Sequence, residues 1–242
     1  MSEMPNLPTE EKEMNDEYKQ RTVALLGTEA VCALENASVL VCGLGGVGGY
    51  ALEALVRAGV GRIGVLDGDV VAPSNLNRQI LATVDTIGMK KTEAARQRIA
   101  RINPDCRVDV YDVFYLPDTA ERVPIAEYDW VVDAVDTVAA KVELICRAKA
   151  QNVKIVSSMG TGNKLSVDFV ITDIKKTSVC PLARVMRKLL RERGVEGVDV
   201  LWSREEPRAT DGRTPASVSY VPAVAGLMLA GHVIRAVTGQ DC

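Results

Sequence analysis

The fold of this chain is decided by the stretch Val39-Leu40-Val41-Cys42-Gly43-Leu44-Gly45-Gly46-Val47-Gly48. An apolar run enters a glycine loop there, an amphipathic segment follows, and a second apolar run ends at the acidic residue Asp67. This order is that of a nucleotide-binding βαβ unit. Gly43 permits the tight turn after the strand, Gly45 lets the backbone approach a phosphate, and Gly48 lets the helix pack close to the strand. Asp67 follows Gly48 by 19 residues, where a carboxylate can accept a hydrogen bond from a ribose hydroxyl.

Length and composition predict a soluble protein of one large domain. The 242 residues are 47% apolar and 25% charged, which is enough apolar side chain for a sizeable core. The net charge of −3 gives no general attraction to nucleic acid, so any RNA contact needs a local basic patch. The six cysteines are scattered without a C-x-x-C pair, which argues against a four-cysteine zinc site and fits a reducing cytoplasm. Residues 1–17 are acidic and polar and lack the apolar region of a signal peptide, so we expect a flexible N-terminal segment.

Strand and helix signals alternate regularly up to residue 160. A helical pattern at 16–35 comes first. We expect strands at 38–42, 62–66, 107–111, 129–133 and 153–157, and helices at 47–58, 90–102 and 138–151. Such alternation predicts the α/β class, with a doubly wound, mostly parallel sheet.

The character of the chain changes after residue 160. Residues 164–174 predict an antiparallel strand or pair of strands, and residues 198–203 predict another short strand. Between them lies a predicted basic helix, Pro181–Arg193, and after them a polar stretch at 205–217 predicts a long loop. The apolar segment Tyr220–Val237 predicts a buried helix at the core or at a subunit interface, with a membrane span as the alternative.

These signals describe a single domain in two parts. The nucleotide-binding part covers residues 18–160. A smaller antiparallel and helical extension, residues 161–242, is left for substrate binding and contacts between subunits.

A polar string after Asp67 indicates phosphate chemistry. It reads Ser74-Asn75-Leu76-Asn77-Arg78-Gln79. Arg78 can bind a polyphosphate with two parallel hydrogen bonds, while Asn75 and Gln79 can orient it. Lys91 opens the next predicted helix and can reach the same phosphates. A dehydrogenase has little need of such groups here, so the set favours ATP over NAD.

Asp136 completes the candidate site. It lies at the C-terminal end of a predicted strand, at the edge where ligands gather in open α/β sheets, and it can hold Mg²⁺. Simpler interpretations also exist for these side chains. Arg78 can be a surface arginine, Lys91 a helix-face lysine, and Asp136 the N-cap of the helix that starts near Val138.

Taken together, these strings resemble the adenylating domain of the ubiquitin-activating superfamily over roughly residues 18–160. The matching stretches are Leu44-Gly45-Gly46-Val47-Gly48, Asp67-Gly68-Asp69, Ser74 to Gln79, Lys91 and Asp133-x-x-Asp136. The resemblance implies that the loop and its acids bind ATP, that Arg78 and Lys91 hold the phosphates, and that Asp136 holds Mg²⁺. It also implies a homodimer in which Arg21 reaches into the partner subunit's site. The candidate catalytic residues are therefore Arg21, Arg78, Lys91 and Asp136, and the nucleotide-binding candidates are Gly43, Gly45, Gly46, Gly48, Asp67, Asp69, Asn75 and Gln79.

Two strings in the second half separate branches of that superfamily. They run from Ser157 to Leu165 and from Asp173 to Ala183, and they resemble the branch that dehydrates threonylcarbamoyladenosine in tRNA. Bacterial members that activate carrier proteins usually carry two C-x-x-C pairs, which this sequence lacks. The resemblance implies that ATP activates the substrate carboxylate as an adenylate, after which the substrate cyclises. The basic helix 181–193 would then contact tRNA phosphates, although a solvated charged helix face has the same pattern.

The alternative is activation of the C-terminal glycine of a ubiquitin-like sulfur-carrier protein by the same adenylation. Such an enzyme would bind a carrier or sulfur-donor protein instead of RNA. Cys180 is the candidate thioester cysteine, and a packed structural cysteine is the competing interpretation. A non-catalytic dinucleotide-binding regulator is a third class, but it would not require Arg78, Lys91 and Asp136.

Overall fold

Seven strands form the sheet on which the site is built. They are β1 (Ser38–Cys42), β2 (Arg62–Leu66), β3 (Arg107–Tyr111), β4 (Trp130–Asp133), β5 (Lys154–Ser158), β6 (Phe169–Asp173) and β7 (Asp199–Ser203). In a computed structural model, which describes residues 7–210 and 215–240, their order is β3-β2-β1-β4-β5-β7-β6. Neighbouring strands run parallel from β3 to β7, and β6 pairs antiparallel with β7 at one edge. The predicted α/β class and mostly parallel sheet are confirmed, and the C-terminal extension adds its strands to the same sheet.

Seven α-helices accompany the strands in the described part of the chain. They are α1 (Leu7–Leu26), α2 (Thr28–Asn36), α3 (Gly48–Arg57), α4 (Lys91–Ala100), α5 (Val138–Ala150), α6 (Pro181–Glu192) and α7 (Tyr220–Thr238). The predicted single helical pattern at 16–35 is wrong in one respect, because Gly27, with φ of +89°, breaks it into two helices. The first helix also begins at Leu7, inside the predicted N-terminal segment 1–17, of which residues 1–6 lie outside the described residues.

The core has two halves, one on each face of the sheet. Along β1, Val39 and Val41 face the half that includes side chains from α2, α3, α4 and α7. Leu40 and Cys42 face the other half, which includes side chains from α5 and α6. A parallel strand covered on both faces reads as a continuous apolar run, which explains the unbroken stretch before the glycine loop.

The apolar helix α7 lies against the glycine loop. It packs on α3 so closely that a Cβ at Gly226 would stand 2.2 Å from the main-chain oxygen of Val47. Seven of its residues are buried, which agrees with the predicted core helix. It is also the one described helix long and apolar enough to cross a membrane, which is weak support for a span because core helices pass the same test.

Candidate active site

One cleft of about 810 Å³ lies at the carboxyl ends of the parallel strands. Loops after β2, β1, β4 and β5 line it in the order in which those strands lie in the sheet. Ten of the predicted site residues and two of their sequence neighbours line the cleft, namely Gly43, Gly45, Gly46, Val47, Asp67, Gly68, Asp69, Asn75, Arg78, Gln79, Lys91 and Asp136. The far end is lined by the segment 158–164 and by Cys180, Pro181 and Leu182. The structure therefore brings all but two of the twelve candidate residues to the lining of this cleft, the exceptions being Gly48 and Arg21.

The glycines of the loop differ in their structural surroundings. Gly43 has φ of +84°, and a Cβ there would lie 2.7 Å from the main-chain oxygen of Ala134. A Cβ at Gly48 would lie 1.7 Å from the oxygen of Gly43, so the start of α3 leaves no room for a side chain. At Gly45, by contrast, the nearest atom to such a Cβ would be Nε2 of Gln79 at 3.9 Å. The protein itself therefore does not require glycine at position 45, and the space belongs to the cleft.

Asp67 stabilises this loop through hydrogen bonds to its backbone. Its Oδ2 accepts a hydrogen bond from the main-chain N–H of Leu44 at 2.7 Å, and its Oδ1 accepts one from that of Asp69 at 2.8 Å. The sequence predicted a ribose contact for Asp67 and gave no sign of this bracing role. A carboxylate has about four acceptor positions, so Asp67 can hold the loop and still accept a ribose hydroxyl.

Lys91 is a buried cation at the start of α4. Its side chain is 7% exposed, and its Nζ donates to Oδ2 of Asp69 at 2.9 Å and lies 3.8 Å from Oδ2 of Asp67. Lys91 is the first residue of α4, but its side chain is buried and paired, which the interpretation as a helix-face lysine does not account for. Its ammonium faces the cleft already paired, so a phosphate would have to share it with Asp69 or displace that carboxylate.

The polar string 74–79 forms the wall beside the loop. Nη1 of Arg78 donates to the main-chain oxygen of Ser74 at 3.0 Å and to Oδ1 of Asn77 at 2.9 Å, which fixes the guanidinium at the cleft wall. Oδ1 of Asn75 accepts from the N–H of Ala72 at 3.0 Å and closes a short 3₁₀ turn. Gln79 is 7% exposed, and its Oε1 has no hydrogen-bond partner among the described residues. An unpaired buried acceptor costs about 1–3 kcal/mol, so this amide is suited to a donor brought by a ligand.

Asp136 is an exposed carboxylate on the cleft, in the turn after β4. Thr137, not Asp136, is the N-cap residue of α5, and no side chain caps that helix. The N-cap interpretation of Asp136 is therefore wrong, and its contact is a 3.3 Å hydrogen bond accepted from Oγ1 of Thr137.

A buried ion pair lies beneath that turn and was not predicted. Nζ of Lys141 stands 3.0 Å from Oδ2 of Asp133, and both side chains are fully buried. The same ammonium donates to the main-chain oxygen of Val135 at 3.0 Å, while Oδ1 of Asp133 accepts from the N–H of Val135 at 3.2 Å. Oγ of Ser157 donates to Oδ2 of Asp133 at 2.6 Å. Both sides of the Val135 backbone are thus fixed one residue before Asp136.

The far end of the cleft contains two groups that the site prediction did not include or left undecided. Lys164 is 5% exposed, its Nζ donates to the main-chain oxygen of Glu205, and burial lowers its pKa. Cys180 is 3% exposed and precedes the first residue of α6. Lys164 lies in the quoted string Ser157 to Leu165, but nothing in the sequence marks it as buried.

The predicted loop 205–217 borders the same end. The carboxylate of Glu205 accepts from the N–H groups of Leu165 and Ser166 at 3.0 and 2.8 Å, and Oδ1 of Asn163 accepts from that of Ala216 at 2.6 Å. Pro207, Pro215 and Ser217 line the cleft, while residues 211–214 lie outside the described residues. Arg21 is exposed on α1 and is absent from the described lining of the cleft.

Three relatives locate the chain among known proteins. The tRNA threonylcarbamoyladenosine dehydratase of Bacillus subtilis (strain 168) is 39% identical over 88% of this chain and 92% of that protein. The enzyme of the same name in Escherichia coli (strain K12) is 37% identical over 79% of this chain and 76% of its own length. The adenylyltransferase and sulfurtransferase UBA4 of Scheffersomyces stipitis is 41% identical, but over 54% of this chain and 32% of that protein.

Solved structures agree with the sequence relatives. Crystal structures of the E. coli tRNA N6-threonylcarbamoyladenosine dehydratase in complex with ATP and with AMP match this chain with a TM-score of 0.87 and 34% identity. Each match covers 93% of this chain and 96% of the E. coli chain. The ThiF family matches residues 18–242. This chain therefore belongs to the ThiF family.

Proposed function

We propose that this protein is an ATP-dependent dehydratase of threonylcarbamoyladenosine in tRNA. One observation carries the proposal. A single cleft joins the glycine loop to a second end lined by residues 158–164 and 180–182, which belong to the two quoted strings, in a chain similar to dehydratases over most of its length. The alternative, activation of a carrier protein, is not favoured, because the adenylyltransferase relative is matched over a much smaller share of both chains. Cys180 is also buried, which is a poor position for a thioester exchanged with a partner protein.

The chemistry needs two groups of one substrate in the same cleft. The substrate carboxylate attacks the α-phosphate of ATP, so that a new C–O–P linkage forms while pyrophosphate leaves. An N–H nitrogen of the same substrate then attacks the activated carbonyl carbon and gives up its proton, the ring closes, and AMP leaves with the oxygen that would otherwise be lost as water. Because both groups belong to one bound molecule, the second step is effectively intramolecular. No nucleophile of the protein is required.

The residues around the glycine loop supply the electrostatics of the first step. The open space beside the backbone of Gly45 and the unpaired amide oxygen of Gln79 suit the phosphate and polar groups of a nucleotide. The guanidinium of Arg78 can neutralise charge that builds up on departing pyrophosphate. Lys91 can do the same once its ammonium is shared between Asp69 and a phosphate.

Asp136 fits a magnesium ion held jointly with ATP. No three His, Cys, Asp or Glu side chains within residues 7–210 and 215–240 cluster as a metal site by themselves. One carboxylate with phosphate oxygens and waters is a common way for proteins to hold Mg²⁺. The ion would supply charge neutralisation at the phosphates. We expect Asp136→Asn to raise the Mg²⁺ concentration needed for tight ATP binding, measured by calorimetric titration at a series of Mg²⁺ concentrations, while the melting temperature stays unchanged.

The partner in this proposal is tRNA, held in part by the basic helix α6. Arg184, Lys188 and Arg191 are exposed on it and can reach RNA phosphates. Arg187 is not part of that surface, because its Nη1 donates to the main-chain oxygen and to Oγ1 of Thr177 at 2.7 and 2.5 Å. The contact surface on α6 is therefore narrower than the run of cationic residues in the sequence.

The proposal includes a cytoplasmic homodimer with shared sites. Arg21 lies away from the described lining of its own cleft, which suits a role in a neighbouring subunit. Mixing inactive Arg21→Ala with inactive Asp136→Ala subunits should restore part of the activity, since hybrid dimers contain one intact site. No recovery after demonstrated subunit exchange would mean that each site is built from one chain.

The direct test uses purified protein, Mg²⁺-ATP and tRNA that carries threonylcarbamoyladenosine. Mass spectrometry of the digested nucleosides should show a cyclic product lighter by one water, formed together with AMP and pyrophosphate. If modified tRNA is left unchanged while a ubiquitin-like carrier stimulates release of pyrophosphate, the protein belongs with the carrier-activating enzymes.

A further inference from the structure

Three lysines are buried in the described part of the chain, and one differs from the others. Lys91 is paired with Asp69 at 2.9 Å, and Lys141 is paired with Asp133 at 3.0 Å. Lys164 is buried to the same degree as Lys91 but has no carboxylate within 4.0 Å among residues 7–210 and 215–240. Its hydrogen bond goes to the main-chain oxygen of Glu205.

The nearby carboxylate of Glu205 is already engaged elsewhere. It accepts from the N–H groups of Leu165 and Ser166 at 3.0 and 2.8 Å and lies 3.5 Å from Nε of Arg208. A buried charge without a charged partner is costly to a fold, and an ammonium has three N–H donors of which one carbonyl takes one. Burial accordingly lowers the pKa of Lys164. A buried ammonium that lines a cleft and has no carboxylate within ion-pair distance among the described residues is suited to an anionic ligand.

The sheet order indicates which anion this is. Across the cleft, Asp67 follows β2, the glycine loop follows β1, Asp136 follows β4, and the segment with Lys164 follows β5. Neighbouring strands lie about 4.8 Å apart, so the Lys164 segment lies roughly 10 Å from the glycine loop along the sheet edge. A nucleotide with its ribose at Asp67 and its phosphates between the glycine loop and Asp136 leaves the β5 end for the group that receives the adenylyl unit.

The surroundings of Lys164 fit an organic acid better than a second phosphate. Cys180 and Leu182 line the cleft beside it, and neither supplies the guanidinium that would suit a second phosphate. Helix α6, which carries the exposed cationic residues, begins at the neighbouring Pro181. An RNA held along α6 could therefore deliver a modified base to this end of the cleft.

We propose that Lys164 binds the carboxylate of the substrate and presents it to the α-phosphate of ATP. The inference rests on the proposed function and names the group that recognises the substrate within that site. The ammonium pairs with the carboxylate, one of whose oxygens attacks phosphorus as pyrophosphate departs. In the resulting adenylate the remaining carbonyl oxygen accepts the same N–H, which keeps the carbon oriented for ring closure.

The test compares Lys164→Met, Lys164→Gln and wild type, with Lys149→Met as the matched control. Lys149 also donates to a main-chain oxygen, that of Gly197 at 2.9 Å, but it is exposed and is not among the described lining of the cleft. The substrate is an anticodon stem-loop RNA that carries threonylcarbamoyladenosine. An otherwise identical RNA in which the carboxylate is a carboxamide serves as a neutral competitor in binding measurements without ATP.

We expect both Lys164 variants to raise KM for the RNA by at least about tenfold, which corresponds to about 1.4 kcal/mol. The wild type should bind the acid in preference to the amide, and both variants should lose that preference. ATP affinity should stay within about twofold of wild type. The melting temperature should stay equal or rise, because the substitutions remove an unpaired buried charge. Lys149→Met should leave all four readouts unchanged.

Wild-type KM and an intact preference for the acid in active Lys164 variants would overturn the inference. A lower melting temperature together with weaker ATP binding in both variants would also overturn it, because it would make Lys164 a structural residue. If the wild-type protein forms no cyclic product from the RNA, the proposed function itself fails and takes this inference with it. That result is read on the wild type alone and so is distinct from the other two.

Discussion

Removing the buried ammonium of Lys141 should be among the most damaging substitutions in this protein. Nζ of Lys141 lies 3.0 Å from Oδ2 of Asp133, and both side chains are fully buried. Breaking such a pair on one side leaves a buried charge and costs about 3–5 kcal/mol. Lys141→Met also removes the donor to the main-chain oxygen of Val135. Since typical domains are stable by about 5–15 kcal/mol, the variant should lose a large part of its folding free energy.

A second substitution separates charge from packing. Adding Asp133→Asn to Lys141→Met removes the uncompensated charge, while the amide can still accept from the N–H of Val135 and donate to Oγ of Ser157. The double variant should therefore be more stable than Lys141→Met alone. Lys175→Met is the control, because Lys175 and Glu196 form an ion pair of 2.9 Å with exposed side chains. Exposed pairs of this kind contribute about 0–1 kcal/mol.

Urea unfolding followed by tryptophan fluorescence measures these differences, since Trp130 and Trp202 are both buried. The reasoning is refuted if Lys141→Met loses less than about 1 kcal/mol, or if the double variant is no more stable than the single one. ATP affinity measured on the folded fraction adds a second readout. It should fall in Lys141→Met, because the pair fixes the Val135 backbone next to Asp136 on the cleft.

The other predictions concern the loop, the RNA surface and acid. Gly48→Ala should fail to fold, because its Cβ would meet a main-chain oxygen at 1.7 Å, whereas Gly45→Ala should fold with an unchanged melting temperature and lose ATP affinity in calorimetric titration. Reversing the three exposed cations of α6 to glutamate should raise Kd for tRNA, flatten its salt dependence and leave ATP binding unchanged; an unaltered salt slope would assign RNA binding to another surface. Burial acts to raise the pKa of Glu53, but hydrogen bonds from Arg98 and Arg57 outweigh it and hold that pKa below the usual 4.5. The stability from Glu53 is therefore present above pH 4.5 and lost as the pH falls through the lowered value, so Glu53→Gln should show a shallower acid-induced loss of stability in urea titrations.

Periodicity and glycine spacing were enough to predict the sheet. The predicted strands before residue 160 match the observed ones to within one residue. Strands β1, β2, β4 and β5 are short runs that contain adjacent apolar residues, and β3 alternates polar and apolar residues, so each carries a recognisable strand pattern. The break at Gly27 was not predicted, because a single glycine is compatible with a continuing helix. The joining of β6 to the main sheet was not predicted either, since pairing with β7 depends on contacts far apart in sequence.

For the site, the sequence indicated which residues gather but not what they contact. Asp67 and Asp136 line the cleft because each lies just after the carboxyl end of a parallel strand, and Asn75 and Arg78 reach it from the long loop after β2. Pairings such as that of Lys141 with Asp133, and the absence of one at Lys164, depend on burial that only the assembled structure defines. The basic helix shows the same limit, because a run of cations does not reveal which of them, like Arg187, turns inward to a main-chain oxygen.

The contact between α7 and the glycine loop has a consequence for synthesis of the protein on the ribosome. A Cβ at Gly46 would touch Pro222 at 3.2 Å, and Gly226 lies against Val47, so the nucleotide loop rests on the last helix of the described chain. Some 190 residues separate Gly48 from Thr238. At about 5–20 residues synthesised per second, α7 is completed roughly 10–40 s after the glycine loop, and until then the loop lacks its contact with α7. Nascent chains that end before Tyr220 should therefore remain unable to bind nucleotide, however complete their first βαβ unit is.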